Sequence, residues 1–195
     1  MKHLIKVFII SLITFSTIQA QGVSFGVKAG FNFASLNGDN VSGLDGRTGF
    51  HAGGIAKLGV SKLFAVQPEI VFSSQGFTDS QGQLKVTGKL DYINIPVLAD
   101  FTVAKGLSLQ GGPQLGISIT DEVESGGQTM PIGAESMDFS AVFGAQYRFK
   151  IGLILQARYA AGLSNIIGED TIEGVSVKTD AKNAVFSLSA GMLFN

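Results

Sequence analysis

From Val23 to Phe33 the chain alternates without a break. Val23, Phe25, Val27, Ala29, Phe31 and Phe33 hold one parity; Ser24, Gly26, Lys28, Gly30 and Asn32 hold the other. Period two belongs to an extended strand, whose successive side chains point to opposite faces. The same alternation recurs seven more times and predicts strands at about 23–33, 49–60, 63–74, 90–103, 106–120, 137–149, 151–163 and 183–194. Each is long enough for the ~9–11 residues a tilted strand needs to cross a bilayer. Apart from Asp91 at the edge of the fourth span, no Lys, Arg, Asp or Glu falls on the apolar parity within those spans. The opposite parity collects Lys28, His51, Lys57, Gln67, Glu69, Tyr92, Asn94, Asp100, Gln110, Gln114, Gln146, Arg148, Gln156 and Arg158, with glycines between them. A soluble half-buried strand also alternates, so one such stretch decides little. Eight of them, apolar on one face and rich in Gly, Gln and charge on the other, predict an all-β fold: an eight-stranded antiparallel up-and-down transmembrane β-barrel, apolar outside and polar inside.

The connections alternate in length. Those near 61–62, 104–105 and 150 are short, and those near 34–48, 75–89, 121–136 and 164–182 are long and polar. Short turns on one rim and long loops on the other are the pattern of outer-membrane barrels. An even strand number puts both termini on the short-turn, periplasmic side. Phe25, Phe64, Phe101, Tyr147, Phe149 and Phe194 then ring the periplasmic interface, and Phe31, Phe33, Phe50, Phe72, Phe139, Tyr159 and Phe186 lie nearer the outer one. An eight-stranded lumen is only wide enough for side chains to fill it. Lys28, Lys57, Arg148 and Arg158 are therefore expected to pair with Glu69 and Asp100, and a hydrophobic ligand would find few contacts on this polar inward face. Pro68, Pro96 and Pro113 interrupt strands. Proline donates no ladder hydrogen bond, so local bulges are expected there.

Met1 to Ala20 has the three parts of a secretory leader: Lys2, His3 and Lys6, then an apolar run from Val7 to Phe15, then Ile18-Gln19-Ala20. Cleavage after Ala20 would divide the chain into a leader, 1–20, and an outer-membrane barrel domain, 21–195. The apolar run is shorter than the ~20 residues of a spanning helix. Removing the leader takes away Lys2 and Lys6, leaving 12 basic against 15 acidic residues. That balance argues against nucleic acid as a partner, since no basic excess neutralises phosphates. The chain has no Cys, which removes disulfides, thiol chemistry and lipid attachment at a cysteine.

Several motifs occur in order after the leader: Gly26-Val27-Lys28-Ala29-Gly30-Phe31-Asn32-Phe33, Thr48-Gly49-Phe50-His51-Ala52-Gly53, Val66-Gln67-Pro68-Glu69-Ile70, Leu90-Asp91-Tyr92-Ile93-Asn94-Ile95-Pro96-Val97-Leu98, Gly111-Gly112-Pro113-Gln114-Leu115-Gly116 and Ala157-Arg158-Tyr159-Ala160-Ala161-Gly162-Leu163. Together they resemble the PorT-like family of outer-membrane β-barrel domain proteins. The resemblance implies an eight-stranded barrel in the outer membrane of a Gram-negative cell, with the three prolines at positions where the family carries them. The family's namesake is tied to protein secretion, a role that does not transfer on resemblance alone. The last residue is Asn195 rather than the aromatic usual at barrel C-termini.

The candidate chemistry is sparse. His51 is the one histidine outside the leader. It is a residue type suited to general-base work, with Ser73 or Asp45 as possible hydrolytic partners; the plainer reading is a packed interior residue. Glu69 with Arg158 or Lys28 reads either as an ion path or as a satisfied plug. Asp121, Glu122 and Glu124 beside Ser125-Gly126-Gly127, and Glu169, Asp170 and Glu173, offer oxygen ligands without a calcium-loop spacing. No catalytic, cofactor-binding or metal site is expected, and the protein is read as a non-enzyme. Its expected partners are outer-membrane lipid and lipopolysaccharide, the barrel-insertion machinery and an unidentified envelope protein contacted through the loops. The alternatives are a narrow pore or an accessory of envelope transport or protein secretion, a loop-based lipid enzyme, and a soluble barrel of lipocalin type.

Overall fold

The computed structural model describes residues 22–38, 45–79, 86–125, 128–131, 136–165, 170–172, 175–177 and 181–194. The leader, Gly126, Gly127, Glu169, Glu173 and Asn195 lie outside the described residues. The strands are β1 (Val23–Asn37), β2 (Asp45–Gly59), β3 (Phe64–Asp79), β4 (Val86–Ala104), β5 (Leu107–Ser125), β6 (Gln128–Pro131), β7 (Met137–Arg148), β8 (Leu153–Gly162), β9 (Asp170–Ile172), β10 (Val175–Val177) and β11 (Lys182–Phe194). Eight of them form a ring. The order β4-β3-β2-β1-β11-β8-β7-β5 closes through pairing of β4 with β5, and every neighbouring pair is antiparallel. All eight predicted strands are present with the predicted phase.

The exposure pattern is inverted relative to a soluble barrel. Phe31 and Ile70 are each 63% exposed on the outside, while inward Gln67 is fully covered and Asp100 and Gln146 are 1% exposed. Lipid is the medium that suits such an outer face. The aromatic bands form as expected. Phe25 lies opposite Phe194 in the β1–β11 register. Phe64 meets Phe101 at a tilt and Tyr147 meets Phe149 edge to face, each at 4.8 Å between ring centres. Toward the other rim, Phe50 meets Phe72 at 5.5 Å and Phe33 meets Phe186 at 6.2 Å. On β1 the eight-residue step from Phe25 to Phe33 spans about 20 Å along the membrane normal for a strand tilted as barrels require.

Four findings differ from the sequence reading. First, the prolines cause no bulge. The β3–β4 register is unchanged from Phe64↔Phe101 through Pro68↔Val97 to Val71↔Asn94, and β5–β7 runs unbroken through Pro113↔Ala141. The ladder instead omits pairs beside each proline while keeping its register, and the register shifts occur elsewhere: toward the outer rim between Gly46 and His51 and between Asp91 and Tyr92, and at the β4–β5 turn between Thr102 and Ala104. Second, the inward face is not uniformly polar. Ile55, Ile154 and Leu193 form a buried cluster, seated against Gly26 and Gly191, where small residues leave room for large ones. Third, two long connections contain strand. β6 extends β5 through Glu122↔Pro131 to Ser125↔Gln128, and β9 pairs with β10. Fourth, Ala184 sits on the outward parity yet is only 4% exposed.

Glycine matters at two places in the wall. Gly106 turns the β4–β5 connection with a φ of 81°, a left-handed conformation that costs glycine little. At Gly30, on the β1–β11 seam, a Cβ would fall on the carbonyl oxygen of Leu188, so the strands can approach only without a side chain there.

Candidate functional site

The lumen is the candidate site, because strand alternation aims most of the buried chemistry into it. β3 presents Glu69, β1 Lys28 and β8 Arg158. The guanidinium grips the carboxylate with both ends: Nη1 donates to Oε2 at 2.9 Å and Nη2 to Oε1 at 2.8 Å. Lys28 Nζ lies 2.6 Å from Oε2, and Gln67 Nε2 donates to Oε1 at 2.7 Å. A second group forms around Asp100 on β4. Lys57 Nζ donates to Oδ1 at 2.9 Å, while Ser108 Oγ and Gln110 Nε2 donate to Oδ2 at 3.0 and 2.7 Å. Gln110 joins the two groups, because its Oε1 accepts from Arg158 Nε at 3.0 Å and Nη2 at 2.7 Å. The expected pairing of Lys28, Lys57 and Arg158 with Glu69 and Asp100 is therefore found; Arg148 lines the periplasmic mouth. A buried charge persists only when paired and hydrogen-bonded, and here charge and amide partners fill the cross-section together.

His51 has partners that sequence reasoning missed. Its Nδ1 lies 2.8 Å from Asn32 Oδ1 and its Nε2 lies 2.7 Å from Ser189 Oγ. Asn32 Nδ2 donates to Ser73 Oγ at 2.9 Å and to the Ser74 carbonyl at 3.1 Å. Asn32 Oδ1 is then the acceptor, which assigns the proton to His51 Nδ1 and leaves Nε2 to accept from the serine. Nucleophile, base and orienting group stand in the order that nucleophilic catalysis uses. Ser189 is 8% exposed, and the cavity lined by Asn32 and His51 is about 40 Å³. A water needs roughly 10–15 Å³, so the cavity holds about three waters. Ser73 reaches His51 only through Asn32. Asp45 is exposed at the start of β2 and makes no hydrogen bond to His51. Cross-strand register explains the missed pair: Gly30 lies opposite His51 on one side and opposite Ser189 on the other.

Nearer the outer rim, Asp138 accepts from Ser164 Oγ at 2.9 Å, Asn183 Nδ2 at 3.2 Å and Ser140 Oγ at 3.3 Å. On the exposed ends of β4 and β5, Lys89 pairs with Glu124 at 3.4 Å. Among the described residues no three His, Asp or Glu side chains gather as a metal site.

Known proteins share this architecture. Ail, the attachment invasion locus protein of Yersinia pestis, superposes with a TM-score of 0.55 at 18% identity, covering 88% of this chain and 98% of that one. Neisserial surface protein A superposes with a TM-score of 0.51 at 17% identity, covering 89% of this chain and 99% of that one. At such identities the likeness concerns the fold alone. No curated protein sequence matches the chain. A family model described as outer membrane protein beta-barrel domain matches residues 19–168, more than half of the sequence. With a closed ring, a lipid-suited exterior and that match, the chain belongs to the outer membrane protein beta-barrel domain family and is an integral protein of the outer membrane.

Proposed function

We propose that this protein is a non-enzymatic, closed barrel that acts through what it displays outside the membrane, in adhesion, envelope stability or contact with an envelope partner. The observation that carries this reading is the plug. Glu69, Arg158, Lys28, Gln110 and Asp100 link one wall to the others, and the cavity beside Lys28 and Arg158 holds only a few waters. Activity is thereby moved to the rims. The outer segments 38–48, 79–89, 120–136 and 164–182 carry eleven acidic and five basic residues. Ail has been crystallised with the heparin analogue sucrose octasulfate; the acid excess here favours a cationic or cation-bridged partner over a sulfated polyanion. Lipopolysaccharide contact through bridging cations fits the same charge. Assembly would follow export with cleavage after Ala20 and delivery to the barrel-insertion machinery, and the ordered motifs favour the PorT-like branch of the family. Planar-bilayer recording of the refolded barrel tests the central claim. A silent bilayer is expected; steady single-channel steps would instead support a narrow pore serving envelope transport or secretion.

A further inference from the structure

At the periplasmic end the barrel opens into a vestibule of about 490 Å³. Four of its lining residues are cations, Lys57, Lys62, Arg148 and Lys150, and none is acidic. Lys57 is engaged with Asp100 at 2.9 Å deeper in the lumen. Lys62 and Lys150 are exposed on the β2–β3 and β7–β8 turns, which lie across the ring from each other in the strand order. A group entering the mouth is thus approached by cations from both sides. Hydroxyls of Ser61, Thr102 and Ser108 line the same space. The outward ring pairs Phe64–Phe101 and Tyr147–Phe149 sit at this end, and aromatic girdles mark the depth of lipid headgroups. The charge is opposite to that of the outer loops.

We propose that this vestibule binds a phosphate-bearing group, held by Lys62 and Lys150 beside Arg148 and hydrogen-bonded by the hydroxyls of Ser61 and Thr102. Clustered cations in a concave site concentrate anions, and ammonium and guanidinium groups make strong charge-assisted bonds to phosphate oxygens. The phosphate has two available sources, a phospholipid headgroup of the inner leaflet folding over a short turn, or free phosphate from the periplasm. Both bring the same chemistry.

The test uses the full barrel refolded in maltoside micelles, which contain no phosphate, with backbone amide NMR as the readout. One arm adds inorganic phosphate and the other adds phosphatidylglycerol to the micelles. Saturable shifts confined to Ser61, Thr102, Ser108 and Arg148 are expected. Response in the first arm assigns free phosphate as a ligand, and response in the second alone assigns the lipid headgroup. The variant Lys62→Gln/Lys150→Gln should weaken binding at least about tenfold, the loss of two charge-assisted contacts. Lys105→Gln removes the same kind of charge from the third short turn, outside the vestibule lining, and should leave affinity unchanged. Because Lys62 and Lys150 are exposed, SDS-resistant migration should confirm that the variants fold. The proposal is overturned if neither arm saturates, if all variants respond equally, or if an oligo-aspartate peptide binds where both phosphate probes fail.

Discussion

Replacing Glu69 by Ala tests whether the lumen is held by charge. The carboxylate takes two bonds from Arg158, one ion pair from Lys28 and one bond from Gln67. Lys28 and Arg158 are 7% and 5% exposed, so truncation leaves two cations buried without their counter-ion. Removing one partner of a buried pair costs about 3–5 kcal/mol, or roughly two to three and a half powers of ten in the ratio of folded to unfolded protein. The chain has no Trp, so unfolding in urea is best followed by circular dichroism and by SDS-resistant gel migration. The midpoint should fall by the equivalent of that energy. A second variant separates charge from packing. Glu69→Ala/Lys28→Met removes one orphaned cation and should recover part of the loss, making the two substitutions non-additive. An unchanged midpoint for Glu69→Ala, or a double variant as unstable as the sum of the singles, would refute the reasoning.

Other outcomes follow from the wall and the lumen. Val97→Arg places a charge on the lipid face, where the native residue is 44% exposed; it should cost ~2–4 kcal/mol of membrane folding, read as refolding yield in vesicles. Gly30→Val forces a side chain onto the Leu188 carbonyl and should cost at least about 1–3 kcal/mol as overpacking, visible as loss of the SDS-resistant band. His51→Leu leaves Asn32 Oδ1 and Ser189 Oγ short of a partner and should destabilise by roughly 1–3 kcal/mol, while a fluorophosphonate probe should leave Ser189 unlabelled in the parent protein. Covalent labelling at that serine would show that the cavity admits substrate.

Strand phase was legible because a membrane strand must put its apolar residues on one side at every step, as Phe25 to Phe33 do. Charge partners were legible for Glu69 and Asp100 because few inward carboxylates were available to several inward cations. Register was not legible, and His51 shows the consequence. Its contacts with Asn32 and Ser189 depend on which residues of β1 and β11 face Gly30 and its neighbours, and no local pattern encodes that. The prolines misled for a related reason. A missing donor suggests a bulge when one strand is considered alone, whereas neighbours on both sides hold Pro68 and Pro113 in register. The buried trio of Ile55, Ile154 and Leu193 shares the inward parity with the polar residues, so alternation alone does not separate it from them. Their signal was the inward Gly26 and Gly191 beside them.

The seam between the first and last strands runs from Phe25↔Phe194 to Asn37↔Lys182. Every other junction in the ring joins strands that are sequential in the wall; this one waits for β11 to be made and delivered. Until then the nascent sheet has two raw edges, which invite pairing with other chains, and the contact that removes them is the most distant in sequence and so among the slowest to form. β11 therefore works as a latch on the ring. A protein cut before Lys182 would retain its hairpins and lose its seal, and its expected fate is aggregation before insertion.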